Sequence, residues 1–285
     1  MTARSDVDLD DVTLACVVEG EGPVVLAVHG FPDDASTFRG QVPALVAAGY
    51  QVVCPTLRGY APSGVPRSRR YDAAALARDV VGLADRFSPR APARLVGHDW
   101  GAVAAFAAVA LAPTRFSHMV TMAVPHTAAF ARNFGPAQAR RSWYMGLFQL
   151  PGVAEARLEA DDFALVERLW RDWSPGYRAS SDELRSVKDG LRGRVSEALG
   201  YYRALRSPAA LFGEARRLAF ARVGVRSLHL HGADDGCVGV DSTRGAERFY
   251  DAPYRLDVVE GAGHFLQREK PDVVNASLLA FFKAS

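Results

Sequence analysis

Cysteine is scarce in this chain: three residues in 285, Cys16, Cys54 and Cys237. An odd, scattered set without metal-ligand spacing argues against a disulfide framework or a structural metal site and fits a reducing compartment. An excess of either charge is missing too. With 34 basic and 32 acidic side chains the formal net charge is +2, too mild to imply a nucleic-acid or anionic-membrane partner. The Arg67, Arg69, Arg70 cluster reads as a solvated loop. Long apolar runs are absent as well. The longest uncharged apolar stretch, 102–113, falls short of the ~20 residues that span a bilayer and reads as a buried helix. The polar, acidic amino-terminal stretch lacks the apolar run of a secretory signal, so a cytoplasmic location is expected. No internal repeat or low-complexity segment interrupts the chain.

What is present is an alternation of short β-branched runs with alanine-rich segments of helical period, the pattern of a mostly parallel sheet covered on both faces. An outer strand is predicted over 12–18, followed by strands over 24–29, 51–56, 94–98 and 119–124. From about His126 to Arg222 the pattern turns helical and rich in Arg, Glu, Leu, Trp and Tyr. Strands resume over 227–231 and 254–259, and an amphipathic helix is predicted over 271–282. The expected fold class is therefore α/β. Residues 1–125 and 223–285 form the core, and 126–222 form an inserted helical cap. In such sheets ligands sit beyond the carboxyl ends of the strands, where the candidate functional segments fall.

The first of those segments is Gly97-His98-Asp99-Trp100-Gly101, a strand-to-helix turn of the G-x-nucleophile-x-G kind with aspartate at its centre. A carboxylate is ionised at neutral pH and can displace a leaving group at saturated carbon, so an epoxide or alkyl halide suits it better than an ester or amide. An aspartate before an apolar run is also a common helix N-cap. Against that simpler reading, His231-Gly232-Ala233-Asp234-Asp235 ends one late strand and Gly261-Ala262-Gly263-His264-Phe265 follows the last. This gives the nucleophile, acid, histidine order. Asp235 and Asp234 compete for the acid role, and the spacing from Gly232 favours Asp235. The acid would orient the His264 imidazole and stabilise its cation. The segment His29-Gly30-Phe31-Pro32 ends an early strand; backbone N–H groups of Phe31 and Trp100 are expected to form an oxyanion hole, with His29 structural.

HGFP, RGYAPS from Arg58 to Ser63, GHDWG, HGADD and GAGHF, spread over nearly the whole length, together resemble the α/β-hydrolase-fold epoxide hydrolases. That resemblance implies two cap tyrosines over the nucleophile to meet the alkoxide that ring opening leaves. Tyr144, by its distance to Pro151 and Gly152, and Tyr202, in Tyr-Tyr-Arg, match them; Tyr201 is the fallback for Tyr202, and Tyr177 fits less well. Phe31, Trp100 and Trp143 are the residues expected against substrate, while Trp170 and Trp173 read as cap core or pocket wall. The implied reaction converts a small-molecule epoxide to a vicinal diol with no metal or organic cofactor, and a homodimer is compatible with the sequence. Haloalkane dehalogenases share the Asp-Trp pair and keep a second enzyme reading open. A non-catalytic ligand-binding protein on the same fold is the reading from another class.

Overall fold

The structure, a computed structural model, describes residues 3–283. Its strands are β1 (Ala3–Asp8), β2 (Thr13–Glu19), β3 (Val24–Val28), β4 (Gln51–Pro55), β5 (Ala93–His98), β6 (Phe116–Met122), β7 (Arg226–Gly232) and β8 (Tyr254–Val259). They form one sheet in the order β1-β2-β4-β3-β5-β6-β7-β8. β1 and β2 run antiparallel to their neighbours, and every pairing from β4 onward is parallel. Uncharged runs such as Val24–Val28 lie at the centre with every residue buried, as a strand covered on both faces requires. β8, at the edge, leaves Leu256 and Val258 partly open.

Helices α1 (Val42–Ala47), α2 (Ala73–Phe87) and α3 (Trp100–Leu111) precede β6, and α12 (Leu266–Glu269) and α13 (Pro271–Lys283) close the chain. α2 starts where Asp72 accepts the N–H groups of Ala74 and Ala75 at 3.0 and 3.1 Å, an N-cap that satisfies otherwise orphaned donors. α3 is almost entirely small and apolar because it is buried nearly all round against the sheet and α2.

Between β6 and β7 the described residues contain helices only. These are α4 (Thr127–Arg132), α5 (Pro136–Arg141), α6 (Trp143–Leu147), α7 (Val153–Trp173), α8 (Ser181–Leu191), α9 (Val195–Ala204), α10 (Pro208–Phe212) and α11 (Glu214–Ala219). α7 breaks at 160–163, where the backbone leaves helical geometry. The last of the series, α11, packs back on α2 and α3 before the chain re-enters the sheet. No helix among the described residues is long and apolar enough to cross a membrane.

One strand was not expected. β1 escaped the sequence reading because Ala-Arg-Ser-Asp-Val-Asp has no apolar run; it is an edge strand held by backbone pairing to β2, with Val7 turned into the core. The Arg67, Arg69, Arg70 loop is exposed, as expected. Arg69 pairs with Glu197 of α9 and Arg70 with Asp72, each at 2.9 Å, because the loop folds against those helices.

Candidate active site

Asp99 sits between β5 and α3 with φ 53° and ψ −117°, a conformation rare for a residue with a side chain. Close approach of the flanking backbone makes this turn possible. A Cβ at Gly97 would lie 2.2 Å from the Gly101 carbonyl oxygen, and one at Gly101 would lie 2.0 Å from that of Val28. Opposite them, a Cβ on Gly30 would lie 2.2 Å from Asp99 Oδ1 and 2.6 Å from the Trp100 nitrogen. That bare backbone lets the Phe31 N–H donate to Asp99 Oδ1 at 2.7 Å, with the Trp100 N–H beside it.

The other carboxylate oxygen, Oδ2, faces His264 Nε2 at 3.7 Å, beyond hydrogen-bond length. His264 Nε2 is buried and has no partner, whereas its Nδ1 donates to Asp235 Oδ2 at 2.9 Å. Asp235 is fixed in turn: its Oδ1 accepts the N–H groups of Cys237 and Val238 at 2.7 and 2.8 Å. Burial alone would push the imidazole down, but the adjacent Asp235 and Asp99 carboxylates outweigh it and raise its pKa to about 10.

Above Asp99 and Trp100 lies a cavity of about 550 Å³. Its walls are largely apolar, and both Tyr144 and Tyr202 line it. Their rings meet edge to face at 5.8 Å, and the Tyr202 ring stands over the Trp100 indole at 5.3 Å. Burial first, reinforced by the Asp99 charge, holds both phenols well above the usual tyrosine range, so both keep their protons. The Tyr202 hydroxyl makes no hydrogen bond of good geometry within the protein, although the Trp100 side chain lies close enough to act on it.

Residues 23–271 match the family described as the alpha/beta hydrolase fold. Epoxide hydrolase A of Mycobacterium tuberculosis is 33% identical, over 96% of this chain and 95% of its own length. The chain belongs to the α/β-hydrolase-fold epoxide hydrolase family. Epoxide hydrolase 3 of Xenopus tropicalis is 30% identical over 92% of this chain and 71% of its own. The crystal structure of epoxide hydrolase A from Mycobacterium thermoresistibile superposes with a TM-score of 0.81 at 29% identity, covering 100% of this chain and 99% of that one.

In this family member the structure brings Asp99, Asp235, His264, Tyr144, Tyr202 and the Phe31 and Trp100 N–H groups around one end of one cavity. Asp234 is exposed, so of the two candidate acids Asp235 is the one on His264. Tyr201, the fallback, is committed elsewhere: its hydroxyl donates to the Arg58 carbonyl at 2.7 Å. Tyr177 donates to Glu183. Among the tryptophans, Trp170 donates to the Pro32 carbonyl at 2.8 Å and stacks on Phe265, and Trp173 packs edge-on against the His264 ring.

Two substrate contacts expected from sequence are corrected. Trp143 is absent from the cavity wall; it is 42% exposed on the outer face of α6, under the Arg168 guanidinium. The helix turns Tyr144 inward, and the residue before it therefore faces out. The Phe31 ring is also off the cavity wall, fully buried against Phe148, Trp173 and Tyr202, so it backs a tyrosine while its N–H serves Asp99.

Sequence reasoning gave no role to the residues that hold these groups. His98, inside the GHDWG motif, donates from Nε2 to the His264 carbonyl at 2.9 Å; burial lowers its pKa to about 4, so it stays neutral. Glu269 accepts the Gly263 N–H and the Ser174 hydroxyl, and that hydroxyl oxygen accepts the Phe265 N–H, which fixes the loop carrying His264. Arg58 is buried in a bidentate pair with Asp79 and a further pair with Asp11. Arg268 joins buried Asp33 to Glu183 of α8. The signal that could have found Arg58 and Arg268 is a lone arginine inside an otherwise apolar or turn-forming motif. His29 is structural: its Nε2 accepts the Leu57 N–H and its Nδ1 donates to the Gly30 carbonyl.

Proposed function

We propose that this protein hydrolyses epoxides to vicinal diols through an alkyl ester on Asp99, with 126–222 acting as the cap that supplies both acids. One observation carries the reading: the Asp99 carboxylate and two protonated tyrosines line the same cavity, while an unpartnered His264 Nε2 waits behind that carboxylate. The family supports the same substrate class.

Asp99 Oδ1 is already held by the Phe31 N–H, so Oδ2 is the atom that attacks the epoxide carbon. The ring C–O bond breaks as the C–Oδ2 bond forms. A tyrosine hydroxyl donates to the departing alkoxide, which lowers the barrier by stabilising charge that exists only from the transition state onward. Forming the ester removes the Asp99 charge, and with it part of what held the proton on His264. The imidazolium's proton replaces the one the tyrosine gave, leaving a neutral base. His264 then takes a proton from water, whose oxygen attacks the Asp99 Cγ; negative charge grows on Oδ1, where the Phe31 N–H points and the Trp100 N–H lies close by. Collapse releases the diol and returns Asp99 as carboxylate and His264 as cation, so atoms and protons balance over the cycle.

The test is to offer styrene oxide and short aliphatic epoxides beside matched chloro- and bromoalkanes, following diol and halide together. Diol without halide is the expected result. Halide release would assign the site to dehalogenation with Trp100 at the leaving group, and no turnover of either panel would leave a binding protein.

A further inference from the structure

The two cavity tyrosines are not equivalent, and the loop carrying Asp235 makes the difference. Behind this loop a row of buried groups has every proton fixed by its last acceptor. His231 Nε2 donates to the Val238 carbonyl at 2.8 Å, so its Nδ1 accepts from His229 Nε2 at 3.0 Å, and His229 Nδ1 accepts from the Thr121 hydroxyl at 2.8 Å. In front of the loop, buried Gln138 of α5 donates from Nε2 to the Cys237 carbonyl at 2.8 Å and to Ser142 Oγ at 3.0 Å. Its Oε1 accepts the Gly239 N–H at 3.0 Å. These bonds tie the start of the inserted helices directly to the loop that orients His264.

Tyr144 lies at the same joint. Its hydroxyl is 3.3 Å from Cys237 Sγ, whereas the Tyr202 hydroxyl has no hydrogen bond of good geometry, with the Trp100 side chain near it. Cys237 is fully buried, and ligand atoms of Cys237, Asp235 and His264 all lie within 4.8 Å of one another. Burial and the Asp235 and Asp99 charges push the thiol far up, so it retains a proton to donate. A phenol oxygen accepts one hydrogen bond while its own O–H donates another. If the phenol donated to sulfur instead, it would use the proton that the ring oxygen requires.

We propose that Cys237 is a positioning residue for Tyr144: its S–H donates to the phenol oxygen and turns the phenolic proton toward the cavity, while Gln138 holds the joint. Tyr144 is thereby kept in register with the triad, while Tyr202 has no such thiol behind its hydroxyl. The inference rests on the reading of Tyr144 as an acid in epoxide opening.

Substitution at Cys237 leaves the backbone N–H on Asp235 in place, so the side chain can be tested alone. Single-turnover ester formation from styrene oxide and subsequent ester hydrolysis are to be timed in Cys237→Ala and Cys237→Ser, each with and without Tyr144→Phe. Cys237→Ala is expected to slow ester formation about 5- to 10-fold, the scale of one hydrogen bond, with hydrolysis changed less than about twofold. Cys237→Ser, a better donor, restores ester formation to within about twofold of wild type. In the Tyr144→Phe background Cys237→Ala costs less than about twofold, as for two groups acting as a unit. The Cys237 S–H infrared band, identified by its loss in Cys237→Ala, moves to higher frequency in Tyr144→Phe. An equal cost in both backgrounds, or an unmoved S–H band, overturns the positioning role. A Tyr144→Phe enzyme that forms ester at the wild-type rate brings down the acid assignment itself, a pattern distinct from a normal Tyr144 effect with an additive Cys237 cost.

Discussion

The floor of the cavity and its outer wall are built on opposite rules. At the floor, around Asp99, a single methyl group would collide with backbone, and the carboxylate oxygen that faces Phe31 has its donor in place. At the outer wall, Phe134, Leu205 and Leu211 line the same space yet are 40–47% exposed, and Phe212 beside them is 88% exposed. The contrast is in how geometry is fixed: the atoms proposed to react are held by several directional contacts, while the outer wall is held by non-directional packing.

The largest test of that contrast is His264→Gln. Turnover is expected to fall roughly 10⁴-fold while ester formation persists, so intact-mass spectrometry after styrene oxide exposure should show protein plus one substrate. Tyr202→Phe comes next, slowing ester formation by about 10²-fold or more, and Tyr144→Phe should have an effect of the same kind, both read by stopped-flow single turnovers. Wild-type rates in both would remove the acids from the floor.

Gly30→Ala probes the floor without replacing a reacting group. A Cβ 2.2 Å from Asp99 Oδ1 should cost about 1–3 kcal/mol in urea unfolding and slow ester formation as well. Charge is the fourth test. The folded pKa of His264, raised from 6.5 to about 10, means its cation contributes stability that is complete below 6.5 and is lost as pH rises toward 10. Asp99→Asn removes one of the two carboxylates holding that proton. Unfolding measured near pH 6 and near pH 10 should therefore show a smaller loss in the variant, and a nitrogen NMR titration should place its His264 pKa lower. Leu211→Ala, on the wall, should give the smallest effect: a KM change of about tenfold or less with little change in kcat.

The same contrast explains what could be read in advance. Strands such as Val24–Val28 were legible because a segment buried on both faces must be uncharged, and β1 was not because an edge strand need not be apolar. Asp99, Asp235 and His264 stood out because the glycines that permit their approach are written beside them in the chain. The supports were hidden by distance. Gln138 lies 99 positions from the carbonyl it holds, Tyr144 lies 93 from Cys237 and Arg268 lies 235 from Asp33, and no local pattern marks such pairs. Trp143 was misplaced for a related reason: neighbouring aromatics on a helix point to different faces, and composition does not say which one faces in.

The outer wall has an anchor of its own, although Leu205 stays tied to the Tyr202 carbonyl through its backbone N–H. Its α11 end rests on α2, helped by the 2.6 Å pair between Arg78 and Glu214, while Gln138 ties the opposite side of the inserted helices to the Asp235 loop. Change in diet can thus proceed at Leu211 with least disturbance to the reaction. A lineage, or a directed-evolution campaign, can remodel that position one codon at a time and explore new epoxides without relearning how to open one.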